Sequence, residues 1–400
     1  MNMTVYPGTL RGKAEIPFSK AYVHRLLLAS FLSGNEHFAN AFPCECEDTR
    51  VTLDCLAALK ETPRGKEALL DVKECGTALR FLVPVCAALG RDARFLMSPS
   101  LAARPMEPLL SQLTRRGVKI ELEADALRVS GRLRGGSEAF CLPGNISSQF
   151  FSGLLFALAL LPEGGAAAYY TPLQSADYVK LTCSVLEKCG IGVHTIPDVG
   201  WVVDGNGNGA FALPEGIRPE RDHSLAAMLL AANALGSRAE MPGLHDDPLQ
   251  ADSRMPELIR CVFSGDDADT AFADVSGCPD LFPPLCVCAA LKKGKTTVFR
   301  HTERLRYKES DRLRAMRQLI LSLGGRAEAD EEKNELTVHG GELHGGTVDS
   351  MGDHRIAMSA AVAALSAKGP VTVLGAECVK KSWPEFWQVF RSLGGRAEET

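Results

Sequence analysis

A chain of 400 residues is long enough for two or three domains, each able to bury its own core. Its composition, 46% hydrophobic and 23% charged with a formal net charge of −5, fits a globular protein. That charge argues against a nucleic-acid partner or polybasic membrane binding, so any cationic site must be local.

In chain order, the opening MNMTVYPGTLRGKAEIP carries charges and a proline and lacks the apolar centre of a secretion signal. The first apolar helix opens at Ser19 in SKAYVHRLLLASFLSG, and a second at Gly76-Thr77 in GTALRFLVPVCAALG. VKIELEADALRVSG then alternates like two strands joined by a turn. Further helices open at SSQFFSGLLFALALL and, beyond the glycine-rich DGNGNG (204–209, the best hinge candidate), at DHSLAAMLLAANALG, PDLFPPLCVCAALKKG and DHRIAMSAAVAALSAKG. Each starts on Ser, Asp or Gly-Thr as an N-cap and continues with the all-round apolar run of a buried helix. No apolar run is long enough to span a bilayer; GLLFALALLPEGG stops far short.

The chain also repeats itself. LSLGGRAEAD from Leu321 returns as RSLGGRAEE from Arg391, with weaker copies around Gly117 and Gly190. Each copy is an amphipathic helix, a C-terminal glycine and an alternating strand. The pattern predicts an α/β protein of six βαβαββ-like units in two groups of three, hence two similar domains. Thirteen cysteines are odd in number and scattered. The C-x-C pairs Cys44/Cys46 and Cys286/Cys288 lack the partners of a zinc set, so reduced buried thiols are expected. Together these features predict a cytoplasmic protein.

The densest charge lies in RLRYKESDRLRAM, from Arg304 to Met316. Arg304, Lys308 and Arg312 recur every four residues, which on a helix stacks like charges near a cation-averse N-terminus. An anion completing the site is one resolution.

Taken with PFSKAYVHRLLLAS, ECGTALRF, RPMEPL, NISSQF, GCPDLFPPL, GDHRIAM and KKSWPEF, this stretch resembles the EPSP synthases, the 3-phosphoshikimate 1-carboxyvinyltransferases of the enolpyruvyl transferase family. The resemblance runs the whole chain. It implies two domains, each of three βαβαββ units (an inverse α/β barrel), with 1–18 and 221–400 forming one discontinuous domain and 19–220 the other. It places the active site in the cleft between them, in a monomer without metal or organic cofactor. The implied chemistry moves the enolpyruvyl group of phosphoenolpyruvate onto the 5-hydroxyl of shikimate 3-phosphate.

By the same resemblance, Lys20 and Gln149 touch both substrates. Arg25, Ser147, Ser148, Ser175, Arg304 and Lys308 hold shikimate 3-phosphate. Gly76, Arg104, Arg312, Arg355 and Lys381 hold phosphoenolpyruvate. Asp280 is the base that meets the shikimate hydroxyls, and is open to being a helix N-cap as well. Glu309 donates and recovers the methylene proton, which calls for a pKa raised toward neutrality by desolvation. Lys20 joins them in catalysis. Asp311 and Asp353 are expected to orient cations, and His354 to give structural support, with ligand and proton-relay roles open. Arg25, on an apolar face, is expected to be costly unless an anion pairs it.

Three departures stand out: Ala21 where the family has a serine, Ala176-Asp177 before Tyr178 where Arg-Pro is usual, and Glu74-Cys75 where Asn-Ala is common. Ala21 keeps open a catalytically impaired phosphometabolite-binding homologue. The sister reaction on UDP-N-acetylglucosamine, which uses a loop cysteine, is the other alternative.

Overall fold

The computed structural model describes residues 1–35, 37–205, 211–246, 249–263 and 270–400. Of the candidate hinge at 204–209, residues 206–209 lie outside these. The chain divides into two compact units, Met1–Pro17 with Arg221–Thr400, and Phe18–Glu220.

One sheet plan recurs: a parallel pair followed by an antiparallel hairpin. In the Phe18–Glu220 unit, strand Ala68–Lys73 pairs in parallel with Ala93–Met97, which pairs antiparallel with Ala126–Gly131, itself paired to Val118–Leu122. The second sheet repeats the plan with Phe140–Leu142, Gly165–Tyr169, Gly200–Val203 and Val193–Ile196. In the other unit it is made by Thr270–Asp274, Thr296–Arg300, Glu335–His339 and Arg326–Asp330.

The fourth sheet is assembled from both ends of the unit. Parallel strands Gly346–Asp349 and Val371–Leu374 are followed by the N-terminal strand Met3–Val5, which lies between Val371–Leu374 and Ala397–Glu399. Among the described residues, four of the six expected units therefore carry a full four-stranded sheet. The fifth sheet is a parallel pair, Arg11–Lys13 with Arg238–Glu240.

The most apolar helices lie inside their units, while others such as Glu47–Glu61 and Arg312–Ser322 keep an exposed face. Strand Ala68–Lys73 alternates buried and exposed side chains, the mark of a sheet with one wet face. By contrast, His354–Ser366 buries residues all round its circumference, as a central helix must. In the Phe18–Glu220 unit, Gly76–Leu89 and Ser148–Ala159 make the most extensive helix–helix contact.

Gly153 sets how close those two helices come. A Cβ there would lie 2.2 Å from the Arg80 carbonyl oxygen and 3.1 Å from the Phe81 Cα, and backbone cannot rotate aside. The close approach puts the first turns of both helices side by side. Gly153→Ala is therefore expected to lower unfolding free energy by about 1–3 kcal/mol, the usual cost of overpacking. A chemical-denaturation midpoint equal to wild type would rule this out.

Candidate active site

In the Phe18–Glu220 unit, four helix starts carry the expected residues. Lys20 begins helix Lys20–Leu32 and pairs with Asp48 Oδ2 at 2.9 Å. The Cys75 thiol donates to the Asp48 carbonyl at 3.6 Å and accepts from the Ala78 amide, capping helix Gly76–Leu89. The Lys20–Asp48 pair thus adjoins the segment leading to Gly76.

At Gly76 two guanidinium groups converge. A Cβ there would lie 2.9 Å from Arg80 Nη1 and 3.6 Å from Arg104 Nη1, so glycine leaves room for both. Arg104 Nε and Nη2 are buried without a hydrogen-bond partner in the protein, a donor arrangement suited to an anion. Arg80 Nη1 also donates to Gln149 Oε1 at 2.7 Å, while Gln149 Nε2 donates to Thr77 Oγ1 at 2.9 Å. The Gln149 amide is therefore held in one orientation at the start of Ser148–Ala159. Ser147 caps that helix, its Oγ accepting from the Gln149 amide at 3.3 Å, and buried Ser148 is its first residue. Ser175, before helix Ala176–Lys188, is buried with φ +56°, a strained value for a side chain other than glycine.

Arg25 differs from expectation in how its burial is satisfied. Its guanidinium donates to Thr182 Oγ1 (2.7 Å), the Tyr178 carbonyl (2.7 Å), Ser152 Oγ (3.1 Å) and the Ala21 carbonyl, and lies over the Phe81 ring. Neutral acceptors satisfy these donors, yet with no carboxylate beside it burial still pushes the Arg25 guanidinium down to about 9, so an anion remains favourable there. Arg25 ties three of the helix starts together.

In the other unit the KESDR stretch is not one helical face. Arg304 lies buried in the 3-10 helix Glu303–Tyr307, Lys308 is extended, and the α-helix begins only at Arg312. Asp311 is its N-cap, accepting from the Arg314 amide at 3.1 Å, so Asp311 satisfies backbone and does not orient a cation. The break removes the like-charge stacking expected from the four-residue spacing.

Arg312 is the centre of this half. With 1% of its side chain exposed, it donates through Nη1 to Asp280 Oδ1 (2.5 Å), through Nη2 to Glu309 Oε2 (2.8 Å) and through Nε to Asp353 Oδ2 (2.8 Å). Asp353 also caps helix His354–Ser366 through the Arg355 amide and accepts from Ser310 Oγ at 3.1 Å. It does orient a cation, as expected.

Asp280 is not an N-cap. Helix Phe282–Leu291 begins after Leu281, and the Asp280 carboxylate is taken by Arg312 and by Arg355 Nη2 at 2.9 Å. Burial alone would raise its pKa, but Arg355, Arg312 and Lys308 together hold it well below the usual carboxylate range. Burial also pushes half-buried Lys308 down to about 8, with Asp280 opposing and Arg304 and Arg312 assisting. His354 is wholly buried, its Nδ1 3.7 Å from Asp353 Oδ1. Lys381, also buried, ends the 3-10 helix Ala376–Lys381, which packs on His354–Ser366.

Sequence patterns did not single out Arg80, Asp48 or Ser224. A charged residue inside the apolar run GTALRFLVPV was a usable signal for Arg80. Asp48 and Ser224 act through partners distant in sequence and gave none. Among the described residues, no cluster of His, Cys, Asp or Glu is arranged to hold a metal ion, and no helix is long and apolar enough to cross a membrane. The two units thus offer cations, N-terminal amides and hydroxyls suited to anionic oxygens, with the carboxylates of Asp280, Glu309 and Asp353 beside them.

The profile of the EPSP synthase (3-phosphoshikimate 1-carboxyvinyltransferase) family matches residues 5–390. A 3-phosphoshikimate 1-carboxyvinyltransferase of Clostridium perfringens (strain 13) is 34% identical over 427 aligned residues, covering 99% of each chain. One of Halobacterium salinarum is 36% identical, covering 98% of this chain and 99% of the relative. EPSP synthase from Acinetobacter baumannii superimposes with a TM-score of 0.74 at 23% identity over 100% of both chains. The enolpyruvyl transferase NikO from Streptomyces tendae does so with 0.73 at 16%, covering 100% of this chain and 98% of its own. These two likenesses concern the fold alone. Over nearly its whole length, the chain belongs to the EPSP synthase family.

Proposed function

We propose that this chain transfers the enolpyruvyl group of phosphoenolpyruvate to the 5-hydroxyl of shikimate 3-phosphate. The observation that carries the reading is buried Arg312, which joins half-buried Asp280 and Glu309 and buried Asp353 at the family's motif positions. In the addition step, the 5-oxygen bonds to C2 of phosphoenolpyruvate and the methylene gains a proton to become methyl. In the elimination step, the methyl loses a proton and phosphate leaves, giving 5-enolpyruvylshikimate 3-phosphate.

Asp280 takes the hydroxyl proton and Glu309 exchanges the methyl proton. The resting geometry makes this dependent on the donor substrate. Asp280 shares two guanidinium groups, which stabilise its carboxylate and weaken it as a base; Glu309 shares one. Phosphoenolpyruvate binding to Arg312 and Arg355 draws on the same N–H groups. Basicity then rises when the donor is in place. Lys20, Gly76, Arg104, Gln149 and Lys381 complete the donor's contacts. Arg25, Ser147, Ser148, Gln149, Ser175, Arg304 and Lys308 hold shikimate 3-phosphate.

All assigned residues come from one chain, so the reading requires no partner subunit. Free thiols at all thirteen cysteines accord with a reducing cytoplasm. The reaction on UDP-N-acetylglucosamine is disfavoured, because burial pushes the Cys44 thiol up to about 11 and Cys75 is a buried helix cap. Single-turnover phosphate release with both substrates tests the assignment; no release would overturn it.

Glu309→Gln should lower kcat by about 10²–10⁴-fold, the range for losing a general acid–base group, with little change in either Kd. A near-normal kcat would move that role elsewhere.

Lys308 makes shikimate 3-phosphate binding pH-dependent. Below about pH 8 the free chain holds it charged. Above that pH, binding must first take up a proton, so calorimetric Kd should rise toward about tenfold per pH unit. Lys308→Arg, permanently charged, should flatten the profile. A wild-type Kd constant to pH 9.5 would count against Lys308 as a ligand.

Ala21→Ser restores a hydroxyl beside Lys20. The KM for shikimate 3-phosphate should fall, by roughly 10–100-fold if one charge-assisted hydrogen bond of about 1.5–3 kcal/mol is gained, with kcat within a few-fold. A wild-type chain without turnover, activated by this change, would instead favour the impaired-homologue reading.

A further inference from the structure

Arg355 is fully buried, and its guanidinium has a second anchor besides Asp280. Nη1 donates to the Ser224 carbonyl at 3.0 Å and Nη2 to Ser224 Oγ at 2.6 Å, so one residue grips both terminal nitrogens. The hydroxyl in turn donates to Asp222 Oδ1 at 2.8 Å. These directions are forced, because arginine has only donors, a carboxylate only acceptors, and a hydroxyl one proton and two lone pairs. The proton of Ser224 points to Asp222 and its lone pair to Arg355.

Asp222 is itself fixed. It is the N-cap of helix His223–Ala234, and the same Oδ1 accepts from the Leu225 amide at 3.0 Å. Asp222-His223-Ser224 and Asp353-His354-Arg355 open two helices that pack together, each with its aspartate as cap. The second triplet presents a guanidinium, and the first presents the hydroxyl and carbonyl that receive it. From there the chain of hydrogen bonds runs through Arg355 to Asp280 and on to Arg312.

We propose that Ser224 is a positioning residue for the reaction: held by Asp222, it fixes the Arg355 guanidinium so that this group meets phosphoenolpyruvate and Asp280 together. The proposal rests on the assignment of Arg355 to phosphoenolpyruvate made above. Losing the hydroxyl leaves the carbonyl contact and lets Nη2 swing toward Asp280. The effect falls on the donor substrate, since none of the residues in this chain of bonds except Asp280 is assigned to shikimate 3-phosphate.

The test compares Ser224→Ala, Ser224→Thr, Arg355→Lys and the Ser224→Ala/Arg355→Lys double variant by steady-state kinetics with both substrates. Ser224→Ala should raise the KM for phosphoenolpyruvate about tenfold, as for one charge-assisted hydrogen bond. The KM for shikimate 3-phosphate should stay within about twofold and kcat within about threefold, margins small against that loss. Threonine, which keeps the hydroxyl, should recover most of the loss. In the Arg355→Lys background, Ser224→Ala should add little, because neighbours acting through one contact are not additive. A phosphoenolpyruvate KM unchanged in Ser224→Ala but raised in Arg355→Lys would overturn the proposal and leave the function standing. Equal rises in both KM values, or full additivity, would also overturn it, pointing to a general packing role. If neither single variant moved the phosphoenolpyruvate KM, the assignment of Arg355 would fall as well.

Discussion

One guanidinium serving three carboxylates is the constraint on which this half of the molecule depends. Asp280 precedes one helix, Glu309 lies in an irregular segment, and Asp353 caps another helix; Arg312 reaches all three with 1% of its side chain exposed. Three carboxylates held this closely repel one another, and only a planar donor fork spreads one charge over them with good geometry. Taking such charges out of water is expensive, and the attraction compensates only when the remaining donors and acceptors are also satisfied. At Asp353, Ser310 Oγ and the Arg355 amide supply such contacts, and Ser224 does so for one nitrogen of Arg355. A cluster of this kind is a costly way to gain stability and a good way to fix positions.

The Phe18–Glu220 unit solves its charge problem differently. Arg25 is satisfied by two hydroxyls and two carbonyls, with no carboxylate, and so acts as a fastener between helices. Arg104, with buried donors unpartnered, is poised for an anion that displaces nothing. Anions meeting Arg312 or Arg355 must instead compete with carboxylates already in place. The first arrangement favours binding. In the second, an anion that binds must share guanidinium groups that already hold Asp280 and Glu309.

Much of the architecture was legible beforehand, because it is written in short-range chemistry. Helix starts at Ser19, Ser147, Asp222 and Asp353, and the hairpins after Gly117, Gly190 and Gly324, follow from caps, glycine C-termini and alternation within a dozen residues. The repeat implied six equivalent units. It did not reveal that the N-terminal strand Met3–Val5 is inserted between Val371–Leu374 and Ala397–Glu399, since strand pairing across the length of a chain leaves no local mark.

The motif residues were likewise legible by kind, as cations and carboxylates in an order matching a family. Their partnerships were decided by the tertiary structure. Periodicity suggested that Arg304, Lys308 and Arg312 share a face; the Asp311 cap starts the helix later and separates them. Its place on the apolar face of VHRLLLAS made Arg25 look unpaired, whereas Thr182, Ser152 and Tyr178 arrive from helices more than a hundred residues away. The cap role left open for Asp280 fell to two guanidinium groups that hold its carboxylate, and Ser224, unmarked in DHSLAA, gained its role only from Arg355 packed against it. Sequence by itself determined which side chains were available and where each element began. Packing decided which charges face one another, because electrostatic pairing depends on distance in space, and only the folded chain sets that distance.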